Sequence, residues 1–346
     1  MSSSRVGSGR LRAYIEFLAA LVYFFIARAL AYSAALGLAR EQWIQDPWMP
    51  LVEQAMLAFL LVIGYACMGF SLDHQEHPLR AQGLPRREGS PREVGLGLAV
   101  GWTLAVVCVL PMVVASGIAI VLFLQPSAWG WLLADAAFFA LAALAEEVAF
   151  RGYGFQRFVH AVGPIGAVLG FAAFYAVVQT FVPGSSRASI AVSVVFSVLL
   201  STAYLRTGAL WVSWGINFGW KAIRALLFGL AIGGVSSHSP VVQGNPMGPF
   251  WLTGGGYGLD GSWVAFLVLL VALPVVYRLT RDLNQRYNLH EIVPAGVSVD
   301  LDVVACQEHE DAMVTAEPEA TGIEPVAAPP PANPEPTSSA QPPDAS

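Results

Sequence analysis

ALAEEVAFRGYGFQRF, residues 143–158, runs from an apolar stretch into two adjacent carboxylates, with an arginine four positions after the second. Its meaning depends on whether water or lipid surrounds it. Of the 346 residues 55% are hydrophobic and only 12% charged, with a mean hydropathy of +0.58. Soluble domains average about 25% charged residues, so the chain reads as a membrane protein. A charge at the bilayer centre costs roughly 2.5–3.5 kcal/mol even on lenient insertion scales, which makes Glu146, Glu147 and Arg151 functional candidates.

Working outward, apolar stretches near the roughly 20 residues needed to cross a bilayer occur at 14–39, 50–72, 94–124, 128–150, 163–181, 188–205, 208–230 and 262–279. The fold class is all-α, a polytopic transmembrane helical bundle of about eight spans. The third stretch is overlong and broken at Pro111, which leaves seven or nine open. With the N-terminus in the cytoplasm, thirteen arginines fall on the inner side and only Arg40 and Arg187 outside, so both ends are expected to be cytoplasmic. The first apolar run exceeds a signal-peptide core and lacks a convincing cleavage site, so it is read as a retained span.

Three regions follow. Residues 1–90 hold two transmembrane helices and a basic cytoplasmic loop, 91–285 form the core bundle, and 286–346 are an acidic, proline- and alanine-rich tail. From Pro294 to Ser346 there are ten acids, ten prolines and no lysine or arginine, a composition that reads as disordered. Those ten acids outnumber the overall charge of −6, so the membrane body is net positive. Nothing supports a nucleic-acid partner. Cys67, Cys108 and Cys306 show no metal-ligand or CxxC spacing.

Glu147 and Arg151 share a helical face by i,i+4 spacing and are expected to pair, while Glu146 points about 100° away and needs another partner. If their helix continues through Phe158 to the AVGP break at 161–164, it forms a hairpin with the next span. Glu146 and Gln179 then both lie about 25 Å from the turn, at 1.5 Å per residue, and are expected to face each other. On the seventh span INFGWKAIR, residues 216–224, holds Asn217 and Lys221 on one face, and Lys221 is the single lysine beside seventeen arginines. The alternatives are an interfacial capping cluster for the glutamates and, for Lys221, snorkelling beside Arg224. Asp135 reads as a satisfied polar contact, and LTGGGYGLDG, residues 252–261, as an external turn.

The set resembles the CPBP family of membrane proteins, which includes CAAX prenyl endopeptidases and bacterial bacteriocin-immunity relatives. Its marks are Glu-Glu-x-x-x-Arg, Phe-x-x-x-His and His-x-x-x-Asn on three successive core helices. EEVAFR carries the first mark, RGYGFQRF looks like its usual continuation, GALWVSWGINFGW resembles the surroundings of the third, and PFWLTGGGYGLDGSW a loop that some bacterial members carry. The resemblance spans roughly residues 90–280. It implies an integral protein of a bacterial plasma membrane and an endopeptidase acting on membrane-associated or lipidated peptides.

Two departures qualify that implication. The second mark aligns with YAVVQ, giving Tyr175 and Gln179, and the third with Asn217-Phe-Gly-Trp-Lys221, so both histidines are missing. No cofactor is expected, because amides are poorer zinc ligands than imidazole. Glu146, Glu147, Arg151 and Lys221 sum to zero charge without a metal.

A metal-free protease would use Glu146 as general base, Glu147 with Arg151 to orient it, and Gln179 and Asn217 as oxyanion donors. Its weak point is Lys221, since a neighbouring cation makes a carboxylate a weaker base. The alternative is a non-catalytic relative acting as a membrane scaffold, immunity or binding protein. A proton- or ion-coupled transporter is a third reading.

Overall fold

The computed structural model describes residues 2–236, 241–281 and 283, with the side chains of 2–8 and 127 left aside. These lie in the first of two units, Met1–Glu291; the second, Ile292–Ser346, falls outside the described residues together with the reading of the tail as disordered.

Nine principal helices build the described unit: α1 (Ser2–Arg40), α2 (Met49–Asp73), α3 (Ser90–Val114), α4 (Pro126–Arg151), α5 (Tyr153–Val162), α6 (Pro164–Thr180), α7 (Arg187–Thr207), α8 (Leu210–Ala222) and α9 (Trp263–Leu279). Among the described residues five segments are long and apolar enough to cross a bilayer: Gly9–Arg40, Asp46–Asp73, Ser90–Val114, Ala128–Val162 and Arg187–Thr207; α6 and α9 are shorter apolar helices. The architecture is an all-α polytopic membrane bundle.

Local chemistry sets the helix ends. Ser186 caps α7 by accepting from the Ser189 amide at 3.1 Å, while the Ser189 hydroxyl accepts from the Ser186 amide at 2.7 Å. Ser262 caps α9 by a single bond, its hydroxyl accepting from the Ala265 amide at 3.0 Å.

Three expectations are corrected. The stretch 94–124 is not one span, because α3 runs through Pro111 to Val114 and residues Ile118–Leu122 form strand β1. β1 pairs antiparallel with β2 (Val242–Pro246), Ile118 opposite Pro246 and Leu122 opposite Val242. Three of its five residues are β-branched, which favours a pleated strand over a helix.

The helix carrying Arg151 does not continue to the AVGP break. It stops at Gly152, whose ψ of −141° lies off the helical path and whose added Cβ would meet the Val148 carbonyl oxygen at 2.3 Å. The chain then restarts as the amphipathic α5.

The glycine-rich stretch 252–261 is not an external turn. Leu252, Tyr257, Leu259 and Gly261 are buried in it. Two 3₁₀ turns, Gly255–Tyr257 and Leu259–Gly261, fold it against the bundle.

Two large apolar cores and two small clusters result among the described residues. One joins α3, α7, α8 and α9 around Leu104, Met112, Leu199, Ile216, Trp220 and Leu269. The other joins α1, α2, α4, α5 and α6 around Ala27, Leu61, Tyr65, Val148, Phe155 and Phe171. The most extensive helix pairing is α3 against α8, and α8 also packs on α4 and α7. The seam between the cores is where the polar residues of α4, α7 and α8 meet.

Candidate functional site

α4 and α8 bring five of the six candidate residues together. Arg151 Nη1 donates to Glu147 Oε1 at 3.3 Å, as the i,i+4 spacing requires. Its other terminal nitrogen donates to the Ser197 carbonyl oxygen at 3.2 Å and to the Ser197 hydroxyl at 3.4 Å, tying α4 to α7. Glu147 and Arg151 are fully buried.

Above this pair lies a second, more open one. Lys221 Nζ stands 2.5 Å from Glu146 Oε1, with side chains 15% and 35% exposed. Asn217 Nδ2 links the two tiers, donating to Glu146 Oε2 at 3.1 Å and to Glu147 Oε1 at 2.9 Å. One more bond fixes the α4–α8 approach, from Trp214 Nε1 to the Ala140 carbonyl oxygen at 2.9 Å. Two carboxylates and two cations thus balance, and Lys221 pairs with Glu146 rather than snorkelling beside Arg224.

Gln179 does not meet Glu146 in the hydrogen-bonded cluster. Its amide nitrogen donates to the Tyr257 hydroxyl, joining α6 to the glycine-rich loop. The face-to-face expectation assumed an unbroken α4–α5 helix, and the break at Gly152 removes that premise. Tyr175, one turn earlier on α6, is the α6 residue at the cluster: the Arg151 guanidinium lies 6.0 Å from its ring centroid, and its phenol is within electrostatic reach of Glu146, Glu147 and Arg151.

Asp135 is buried and lines a small cavity beside Trp48, Trp131 and Phe138.

Sequence reasoning missed a second polar cluster. α8 passes directly into a π-helical turn, Ile223–Leu227, a local widening common at functional positions. Arg224 on this turn is buried, reaches Asp260 at 2.8 Å and stacks 4.2 Å over the Trp220 ring, while Trp220 Nε1 donates to Asp260 Oδ1 at 3.1 Å. A signal was present. Between Arg224 and Arg278 the sequence holds one acid, Asp260, and a buried arginine needs one. No comparable signal pointed to Ser197, whose main contribution is a backbone carbonyl.

The divalent metal that the resemblance would imply does not fit these residues. The donors at the centre are two carboxylates and a neutral amide, and an ammonium already lies against one carboxylate, at the place where a cation's charge would be needed. Among the described residues no three His, Cys, Asp or Glu side chains converge.

A family model described as type II CAAX prenyl endopeptidase Rce1-like matches residues 126–223, the segment from α4 through α8 that carries every candidate residue. The match covers less than a third of the chain's 346 residues, and Gln179 and Asn217 stand where the resembled motifs would carry histidines. No curated protein and no solved structure matches significantly.

Proposed function

We propose that this chain is a non-catalytic member of the family, which holds a membrane-associated or lipidated peptide at the polar seam without hydrolysing it. A carboxylate mechanism needs a base free to take a proton from water and donors free to receive a developing oxyanion. Both oxygens of Glu146 already accept hydrogen bonds, from Lys221 and Asn217. Gln179 is spent elsewhere in part, one N–H of its amide donating to Tyr257 on the glycine-rich loop and not to the charged cluster. The observation that carries the reading is Asn217: an amide nitrogen has two hydrogens, and these two go to Glu146 and Glu147.

We infer further that it works in a bacterial plasma membrane with both ends cytoplasmic, in line with the arginine distribution and with the lipid bilayer as its solvent. The test is capture against cleavage. Purified protein in nanodiscs is expected to crosslink a membrane-anchored peptide and to release no more product than Glu146→Gln does. Cleavage that Glu146→Gln abolishes would overturn the reading.

One observation favours the endopeptidase instead. The first family mark is intact on α4, and its leading member, Glu146, is the most exposed of the charged centre. In that reading Glu146 is the base and Glu147 with Arg151 orients it, while Asn217 must exchange partners before serving as an oxyanion donor and Gln179 has a second N–H to offer. No metal enters either reading.

A further inference from the structure

Arg28 lies on α1 midway between Glu16 and Arg40, twelve residues from each, and no other residue of 17–39 is charged. About 18 Å of helix separates it from either boundary, against about 15 Å for half the hydrocarbon thickness. Long basic side chains snorkel to the interface from near helix ends. At the middle of a span the charge has to be neutralised sideways.

Among the described residues nothing does so. Arg28 is exposed, and no hydrogen bond, ion pair or ring contact reaches it. Arg151 and Arg224, the fully buried arginines, each face a carboxylate, Glu147 and Asp260. The surface around Arg28 is bare as well: Val22, Phe25, Ile26 and Leu30 are all more than half exposed. Lipid covers such apolar side chains without cost, but it cannot satisfy a guanidinium.

One and two turns nearer the N-terminus, on the Arg28 side of α1, stand Phe24 and Leu21. They line a cavity of about 270 Å³ together with Phe150 of α4 and Phe171 and Phe174 of α6. Pockets that enclose a whole small molecule measure roughly 300–1,000 Å³. This one suits the side chains of a helix lying alongside.

We propose that α1 docks a transmembrane helix of another protein, whose Asp or Glu at mid-span pairs with Arg28 while its apolar side chains fill the cavity between α1, α4 and α6. Charge and depth select this occupant. A lipid could fill the cavity, but its charged group stays at the interface. A second copy is poorly supplied at that depth: Glu146 is held by Lys221, Asp135 and Glu147 are buried, and Glu53 lies near the start of α2. Arg28 precedes the segment matched by the family model, so this surface goes beyond the reading of the charged centre.

The experiment uses the labelled full chain in nanodiscs with three synthetic helices of about 21 leucines and alanines. One carries Asp at its centre, one Asn there, and one Asp two turns nearer its end. Binding is read by energy transfer. The central-Asp helix is expected to bind about tenfold tighter than either of the others, and Arg28→Leu should bring all three to one affinity. Because Arg28→Leu removes an unpaired charge from a lipid face, it should melt no lower than the wild type, which separates lost binding from misfolding.

Equal affinity of the wild type for the central-Asp and central-Asn helices would overturn the proposal. So would an Asp preference that survives Arg28→Leu, since the anion would then sit elsewhere. A lowered Tm of Arg28→Leu without any added helix would show that Arg28 already has its partner within the chain, with the same consequence. Energy transfer between two labelled copies that Arg28→Leu abolishes and excess central-Asp helix does not would overturn it in favour of a second copy.

Discussion

Lys221 and Glu146 join α8 to α4 through a 2.5 Å contact at the open edge of a site whose deeper pair, Glu147 and Arg151, is sealed from solvent. Lys221→Ala leaves Glu146 without its cation next to an already buried carboxylate. Fully buried pairs lose about 3–5 kcal/mol when one partner is removed; partial exposure reduces the expected loss here to about 1–3 kcal/mol. Melting in detergent should show a lowered Tm for Lys221→Ala and partial recovery in Lys221→Ala with Glu146→Gln. A single variant that melts with the wild type would mean that the contact contributes nothing.

Arg151 is the stricter position. Its guanidinium serves Glu147 on its own helix and the Ser197 carbonyl on α7 together, which calls for a fork and not a point charge. Arg151→Met should cost about 3–5 kcal/mol and lower the yield of folded protein, and Arg151→Lys should recover little of it. Full recovery of Tm by lysine would show that charge alone matters there.

Much of this arrangement was legible in the sequence, because lipid makes charge rare and therefore informative. The spacing of Glu147 and Arg151 gave their pairing, and the isolation of Asn217 and Lys221 in an apolar run gave their inward face. What could not be read were events that depend on backbone geometry. At Gly152 the backbone leaves the helical path in a conformation where a Cβ would stand 2.3 Å from the Val148 carbonyl oxygen, which glycine alone avoids, and Gln179 bonds Tyr257 and not Glu146. Strand β1 hid inside a hydrophobic stretch because Ile118–Leu122 is as apolar as the span before it. The inward fold of the glycine-rich loop is anchored by Asp260 and Tyr257 on residues far away in sequence.

That loop makes its own prediction. Asp260 is the carboxylate partner of the buried Arg224 and also accepts from Trp220. Asp260→Asn keeps the shape and removes the charge, leaving a cation buried without its partner. The expected result is a stability loss of about 3 kcal/mol or more with faster proteolysis within 252–261. Unchanged protection of the loop would show that Gln179–Tyr257 suffices to hold it.

The last prediction concerns what sets the distance between α8 and its neighbours. Gly97 and Gly101 on α3 face Gly215 and Gly219 on α8, a pair of Gly-x-x-x-Gly patterns that lets two backbones touch. A Cβ at Gly101 would stand 2.4 Å from the Ile216 carbonyl oxygen and 2.8 Å from the Trp220 amide, and one at Gly97 would stand 2.3 Å from the Val212 carbonyl oxygen. These atoms are backbone and cannot swing aside, so Gly101→Ala has to push α8 bodily away from α3. α8 is the helix that carries Asn217 and Lys221 to α4. Overpacking of this kind costs about 1–3 kcal/mol, and the displacement should also disturb the Glu146–Lys221 contact. The two effects separate in a double-mutant cycle of Gly101→Ala with Lys221→Ala, read by melting. Non-additive losses are expected, and strict additivity would show that the α3–α8 contact and the charged centre are mechanically independent.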